Sequence, residues 1–214
     1  MIQAIDRNTR FWDRIAEKYS RTPVPDEEVY QKKLAKTREY FRPDSKVLEF
    51  GCGTGSTAIA HSSYVAQLEA IDVSANMLEI AKDKACAQNI TNINFVQSNI
   101  DDYVTEPESF DAVLGLSVLH LLKDKDAVLR KVHRTLKPGG VFISSTACIG
   151  DKDKIGLFNL IGPIGRLLGK LPILDVFTTE KLRESLVAAG FEIEYDWKPE
   201  KSMAVFIVAR KASN

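Results

Sequence analysis

Five residues, KPEKS, separate the last two strand-like runs of this chain, FEIEYDW at 191–197 and MAVFIVAR at 203–210. A parallel pair needs a crossover of a dozen or more residues, so these two runs are expected to lie antiparallel. The chain ahead of them, back to Lys46, follows the opposite rule. Short apolar runs, KVLEF (46–50), AQLEAI (66–71), INFVQ (93–97), FDAVLGLS (110–117) and VFISSTA (141–147), alternate with helical patterns at 56–62, 75–88 and 124–136. Over 75–88, Met77, Leu78, Ala81 and Ala85 share one helical face. Strands alternating with helices build a parallel sheet covered on both faces. A further helix at 178–189 leads into the closing pair. The expectation is an α/β sheet of seven strands, five parallel and two in a C-terminal antiparallel hairpin.

Ahead of Lys46, Phe11, Trp12, Ile15 and Tyr19 recur at helical spacing, and PVP at 23–25 stops that helix. Asp26 is placed to cap a second helix over about 27–41, which ends before Pro43. Residues 1–45 therefore read as a helical cover on a domain spanning 46–214. At 214 residues and 44% hydrophobic composition the chain can bury one core. Lys plus Arg and Asp plus Glu both total 29, so net charge is zero and nucleic acid is not the expected partner. Cys52, Cys86 and Cys148 are far apart and form no CxxC pair, so neither a disulfide framework nor a zinc site is expected, and no other metal is. The N-terminal residues lack the apolar core of a secretory signal, and no run approaches the roughly 20 apolar residues of a membrane span. A cytoplasmic location is the expectation.

The chemistry centres on Glu49-Phe50-Gly51-Cys52-Gly53-Thr54-Gly55, at the end of the first strand. Glycines there permit a tight turn and close backbone approach to a ligand, while the next helix offers its N-terminal N–H groups. Asp72 ends the second strand, where a carboxylate can accept both hydroxyls of a ribose; Ser74 is the better cap for the helix that follows. Either an adenosine-type cofactor or NAD would use these two features. Three details point away from NAD. Ser56 stands where the dinucleotide fingerprint needs its third glycine. Glu49 would repel a pyrophosphate but could order the loop or hold an ammonium. The closing hairpin also departs from an all-parallel dinucleotide sheet.

VLEFGCGTG, AIDVSANMLEIAKDKA, NINFVQSNIDDY, FDAVLGLSVLHLLKD and LKPGGVFISS, in this order and spacing, resemble the class I S-adenosylmethionine-dependent methyltransferases of the small-molecule, type 11 branch. The resemblance runs from about Lys46 to Thr146, and TTEKLRESLVAAGF also looks like that family's ending. It implies a Rossmann-like fold with S-adenosylmethionine as cofactor and S-adenosylhomocysteine as product. Gly51, Gly53 and Gly55, with Glu49, Phe50, Cys52 and Thr54, would lie along the methionine half. Asp72 would take the ribose, and Val73 and Met77 would lie against adenine. Asn99 occupies a position that is usually aspartate in the family; its side-chain oxygen can still accept from the adenine amino group, and Ile100 N–H can donate to the ring. Leu116 and Ser117 would line the methyl-transfer side. Tyr19 resembles a tyrosine that closes over the cofactor, a core aromatic being the alternative.

Methyl transfer needs alignment more than acid–base help, and His120, in LSVLHLL, is the one candidate for a base. An insertion at about 150–176 carries Leu157, Leu160, Ile161, Ile164 and Leu168 at helical spacing, with Lys154, Arg166 and Lys170 nearby. It reads as a hydrophobic lid, a transient membrane-surface contact through 154–171, or packing on the sheet edge or in a dimer interface. The expected activity is methylation of a small, apolar or lipid-like acceptor by a monomer or homodimer. The alternative is a catalytically silent protein that binds S-adenosylmethionine for regulation.

Overall fold

The computed structural model describes residues 7–151, 174–200 and 202–213. The expected sheet is present. Strands β1 (Lys46–Phe50), β2 (Gln67–Asp72), β3 (Ile93–Gln97), β4 (Phe110–Leu116), β5 (Leu136–Ala147), β6 (Phe191–Trp197) and β7 (Ala204–Lys211) lie in the order β3-β2-β1-β4-β5-β7-β6. The first five pair in parallel, and β7 pairs antiparallel with both β5 and β6. Helices α1 (Arg7–Arg21) and α2 (Glu27–Arg38) precede the sheet; α3 (Ser56–His61), α4 (Ala75–Ala87), α5 (Lys125–Thr135) and α6 (Thr179–Ala188) connect its strands. This is the Rossmann-like α/β architecture.

Two boundaries differ from the sequence reading for local reasons. β5 begins at Leu136, well before VFISSTA, because Leu136 pairs with Phe110 across an irregular register. The KPGG stretch, which looks like a turn, is thereby kept in the strand. α2 stops at Arg38, since Tyr40 and Phe41 donate their N–H groups back to Thr37 and Arg38 in turns.

Alternation along β1 sorts the core. Leu48 and Phe50 meet Val128, Leu129 and Val132 of α5 and Leu182 and Leu186 of α6. Val47 belongs to the opposite face with Ala58 of α3 and Leu78 of α4. Each large side chain so buried contributes roughly 1.5–3 kcal/mol. The caps are side-chain oxygens, as expected: Asp26 accepts from Val29 N at 3.0 Å and Ser74 Oγ from Met77 N at 3.1 Å.

Strand order reverses between β1 and β4, so the helices that follow them leave toward opposite faces. That reversal opens a crevice beyond the carboxyl ends of β1 and β4, the place where such sheets take ligands. α1 closes one side of it by packing on α4. Asp13 fastens the two: Ser74 Oγ donates to its carboxylate at 2.6 Å and Asn76 N at 3.3 Å, placing negative charge on the positive end of α4. α2 is held to the far edge of the sheet by Lys32 over the Trp197 ring (4.0 Å) and Lys36 over the Tyr195 ring (4.5 Å).

Candidate functional site

Two adjoining cavities of about 570 and 540 Å³ occupy the crevice, and both are walled by Tyr19, Gly51, Gly53, Leu116 and Ser117. The glycine loop divides them. Gly51, Gly53 and Gly55 all have positive φ, at 66°, 54° and 72°. A side chain at Gly51 would strike Val118 Cγ2 at 2.5 Å, so the turn itself requires glycine there. At Gly53 the nearest atom to an added Cβ is Tyr19 Cε1, 3.8 Å away, which leaves bare backbone facing open space. Gly55 lines neither cavity; it starts α3 and packs against Ala81 and Phe95.

Asp72 ties this loop to the next turn. Gly53 N donates to its Oδ2 at 2.8 Å and Ser74 N to its Oδ1 at 2.9 Å. Burial raises the pKa of this carboxyl and the backbone donors oppose that shift. Each oxygen has accepted one N–H and keeps capacity for another donor from the first cavity, which Asp72 lines.

Phe50, Val73, Met77, Asn99 and Ile100 come together on the first cavity's wall. Asn99 is differently engaged than expected. Its Nδ2 donates to Asp102 Oδ2 and its Oδ1 accepts from Asp102 N, both at 2.7 Å, so one lone pair of Oδ1 remains for a ligand. Tyr19 is half exposed between the cavities, edge-on to Trp12 at 6.2 Å. Sequence reasoning missed Asn8 and Thr9 and gave Trp12 no role beyond its helical spacing, yet all three reach this wall from α1. The polar pair one turn before an aromatic residue was the available signal.

The second cavity takes Glu49, Cys52 and Thr54 from the loop, and Tyr30 and Lys33 from α2, which no motif marked. Glu49 is buried, and its Oε2 has no hydrogen-bond partner among the described residues. Burial, reinforced by the nearby Asp72 charge, pushes its pKa up to about 8. A cationic group entering here would satisfy the unpartnered oxygen. Thr54 instead serves the scaffold, its Oγ1 accepting from Lys84 Nζ at 2.9 Å.

His120 departs from its expected place. A 3-10 turn at Leu119–Leu121 puts Leu121 and Leu122 on the first cavity's wall, whereas His120 lines neither cavity. Its half-buried imidazole keeps Nδ1 enclosed without a partner among the described residues, and burial lowers its pKa. The pattern Leu157, Leu160, Ile161, Ile164 and Leu168, with Lys154, Arg166 and Lys170, lies outside the described residues. Among those described, no group of three metal-binding side chains occurs. No described helix is long and apolar enough to cross a membrane.

Known proteins resemble this chain in sequence and in fold. A family model described as a methyltransferase domain matches residues 47–140. The uncharacterized methyltransferase YcgJ of Bacillus subtilis is 32% identical over 110 residues, covering 51% of this chain and 43% of that protein. The crystal structure of YcgJ superposes with a TM-score of 0.70 at 17% identity, covering 86% of this chain and 100% of that one. The ubiquinone/menaquinone biosynthesis C-methyltransferase UbiE of Haemophilus ducreyi is 35% identical over 103 residues, covering 46% of this chain and 40% of that protein. The family model and these relatives support a class I S-adenosylmethionine-dependent methyltransferase family for this chain. The matches span under half the length of these two curated relatives. The matched segment, 47–140, contains the glycine loop, Asp72, Asn99, Leu116 and Ser117; α1 and α2, with Tyr19, Tyr30 and Lys33, precede it. The cofactor of the methyltransferase family is S-adenosylmethionine.

Proposed function

We propose that this protein transfers a methyl group from S-adenosylmethionine to a small, largely apolar acceptor, releasing S-adenosylhomocysteine. The observation that carries this reading is the pair of cavities meeting at the glycine loop, with Asp72 bonded to Gly53 N at 2.8 Å. When bound, S-adenosylmethionine supplies an electrophilic methyl on a sulfonium. The residues present suit it. Asp72 would accept the ribose hydroxyls, and Phe50, Val73, Met77 and Ile100 would enclose the adenine, with the remaining lone pair of Asn99 available to its amino group. Gly51 and Gly53 would let the methionine half pass close to the backbone, with Cys52, Thr54 and Gly55 shaping the turn. Glu49 would take the ammonium on its unpartnered oxygen.

The protein's part in the reaction is placement and exclusion of water. Tyr19, Leu116 and Ser117 border both cavities and would hold donor and acceptor in line, the effect that supplies most of the acceleration in such transfers. Apolar acceptor surface would rest on Val24, Val29, Leu34 and Phe206 of the second cavity. The role of the Haemophilus relative in quinone biosynthesis agrees with an acceptor of that character.

The reading is tested at Asp72. Asp72→Ala removes two charge-assisted ribose bonds and is expected to weaken S-adenosylhomocysteine binding by about 2–4 kcal/mol in calorimetric titration. A folded Asp72→Ala protein with wild-type affinity would refute the assignment.

A further inference from the structure

α1 supplies much of the first cavity's wall but is lightly anchored. Asn8, Thr9 and Trp12 line that cavity, and Tyr19 borders both. Among the described side chains of this helix only Ala16 is buried, and one methyl group contributes little to docking. The ring contacts of Trp12 with Phe11 and Tyr19 are internal to α1. Beyond the helix, residues 22–28 are all exposed.

Asp13, midway along this wall, supplies the polar anchor. Its Oδ1 accepts from Ser74 Oγ at 2.6 Å and from Asn76 N at 3.3 Å, and its carbonyl accepts from Asn76 Nδ2 at 3.1 Å. Ser74 is fully buried and spends its other groups on the cavity: its Oγ accepts from Met77 N at 3.1 Å and its N donates to Asp72 Oδ1 at 2.9 Å. One serine therefore joins the α1 wall to Asp72 and Met77, which line the same cavity. Charge does not explain the arrangement. Burial is the largest cause raising the Asp72 pKa, and the Asp13 charge adds to the rise. Electrostatics alone would therefore favour a neutral residue at 13 if Asp72 is to be ionised. What Asp13 contributes to the cavity is geometry.

We propose that Asp13 is a positioning residue for the cofactor: through Ser74 and Asn76 it docks α1 on α4, and the first cavity has its full affinity only while α1 is docked. This deepens the methyltransferase reading and rests on it. Docking and cofactor binding are then linked, so each strengthens the other by the same factor. Asp13 itself lines neither cavity and does no chemistry.

The test follows the full chain by calorimetric titration with S-adenosylhomocysteine, by hydrogen exchange of the α1 amides, and by emission of Trp12 in a Trp197→Phe background that leaves it the sole tryptophan. Asp13→Ala should bind S-adenosylhomocysteine about tenfold more weakly, the worth of a charge-assisted bond. Its free α1 amides should exchange faster and its Trp12 emission should move to the red, and saturating S-adenosylhomocysteine should reverse both. Asp13→Asn keeps the accepting oxygen and should bind within about threefold of wild type, which separates geometry from charge. Asn76→Ala removes the bond to the Asp13 carbonyl at an exposed position and should change binding and exchange in the same direction by less. Wild-type affinity in a folded Asp13→Ala protein, or weaker binding with α1 exchange and Trp12 emission unchanged, would overturn the inference and leave the methyltransferase reading intact. So would an Asp13→Asn protein that behaves like Asp13→Ala. Should Asp13→Ala not fold, unchanged binding and exchange in Asn76→Ala would overturn it. Failure of wild type to bind S-adenosylhomocysteine would bring down both readings.

Discussion

Glu49 interrupts the apolar run of β1 with a carboxyl group that is buried and lacks a partner for Oε2 among the described residues. Such a group costs stability whenever it is charged, so its retention calls for a ligand. Its pKa, about 8 in the folded protein against an ordinary 4.5, gives the cost a pH dependence. Across that window the folded state keeps a proton that the unfolded chain releases. Stability of the free protein should therefore fall as pH rises from about 5 to 8, at up to roughly 1.4 kcal/mol per unit. Urea unfolding over this range should show the slope in wild type and a flatter one in Glu49→Gln. Equal slopes would mean that Glu49 is not the group responsible. A cation bound against Glu49 prefers the ionised form, so cofactor affinity should rise with pH toward 8 and then level off. The sequence made Glu49 noticeable as a charge before glycines. It did not show which loop atoms would leave Oε2 unpartnered, because that depends on where Asp72 spends its own bonds.

At the level of elements, the strand–helix alternation and the five-residue link were legible because period and length alone decide between parallel and antiparallel pairing. Gly115 shows what such patterns omit. It lies in β4 at the reversal of strand order, and an added Cβ would meet Phe50 Cζ at 2.6 Å and Phe142 Cε2 at 3.2 Å. Phe50 and Phe142 stack nearly parallel, 9° apart with centroids at 6.2 Å. Gly115→Ala is expected to destabilise the fold by about 1–3 kcal/mol in chemical denaturation, and a neutral result would show that the aromatic pair can shift. Two further elements resisted sequence reading. The direction of the 3-10 turn at Leu119–Leu121 carries no periodic signal, and it decides that Leu121 and Leu122, not His120, reach the cavity. The second cavity depends on α2, whose Lys32 and Lys36 dock on Trp197 and Tyr195 and so present Lys33 inward. Three lysines within five residues look alike in a sequence, and only the sheet edge beside them assigns their separate jobs.

For the molecule as a whole, net charge is zero, so its overall charge does not steer it toward a charged partner. The fold alone could serve many chemistries. What narrows it is the combination of the match to a methyltransferase domain over 47–140, a carboxylate bridging the glycine loop, and a second cavity built partly by helices outside the matched segment. The most direct test is isothermal titration of the purified protein with S-adenosylmethionine, S-adenosylhomocysteine and NAD in parallel. The account predicts binding of the first two in the micromolar range and none of NAD. Binding of NAD alone would contradict the assignment of Gly51, Gly53, Asp72 and Glu49, and binding of none of the three would contradict the cofactor site itself.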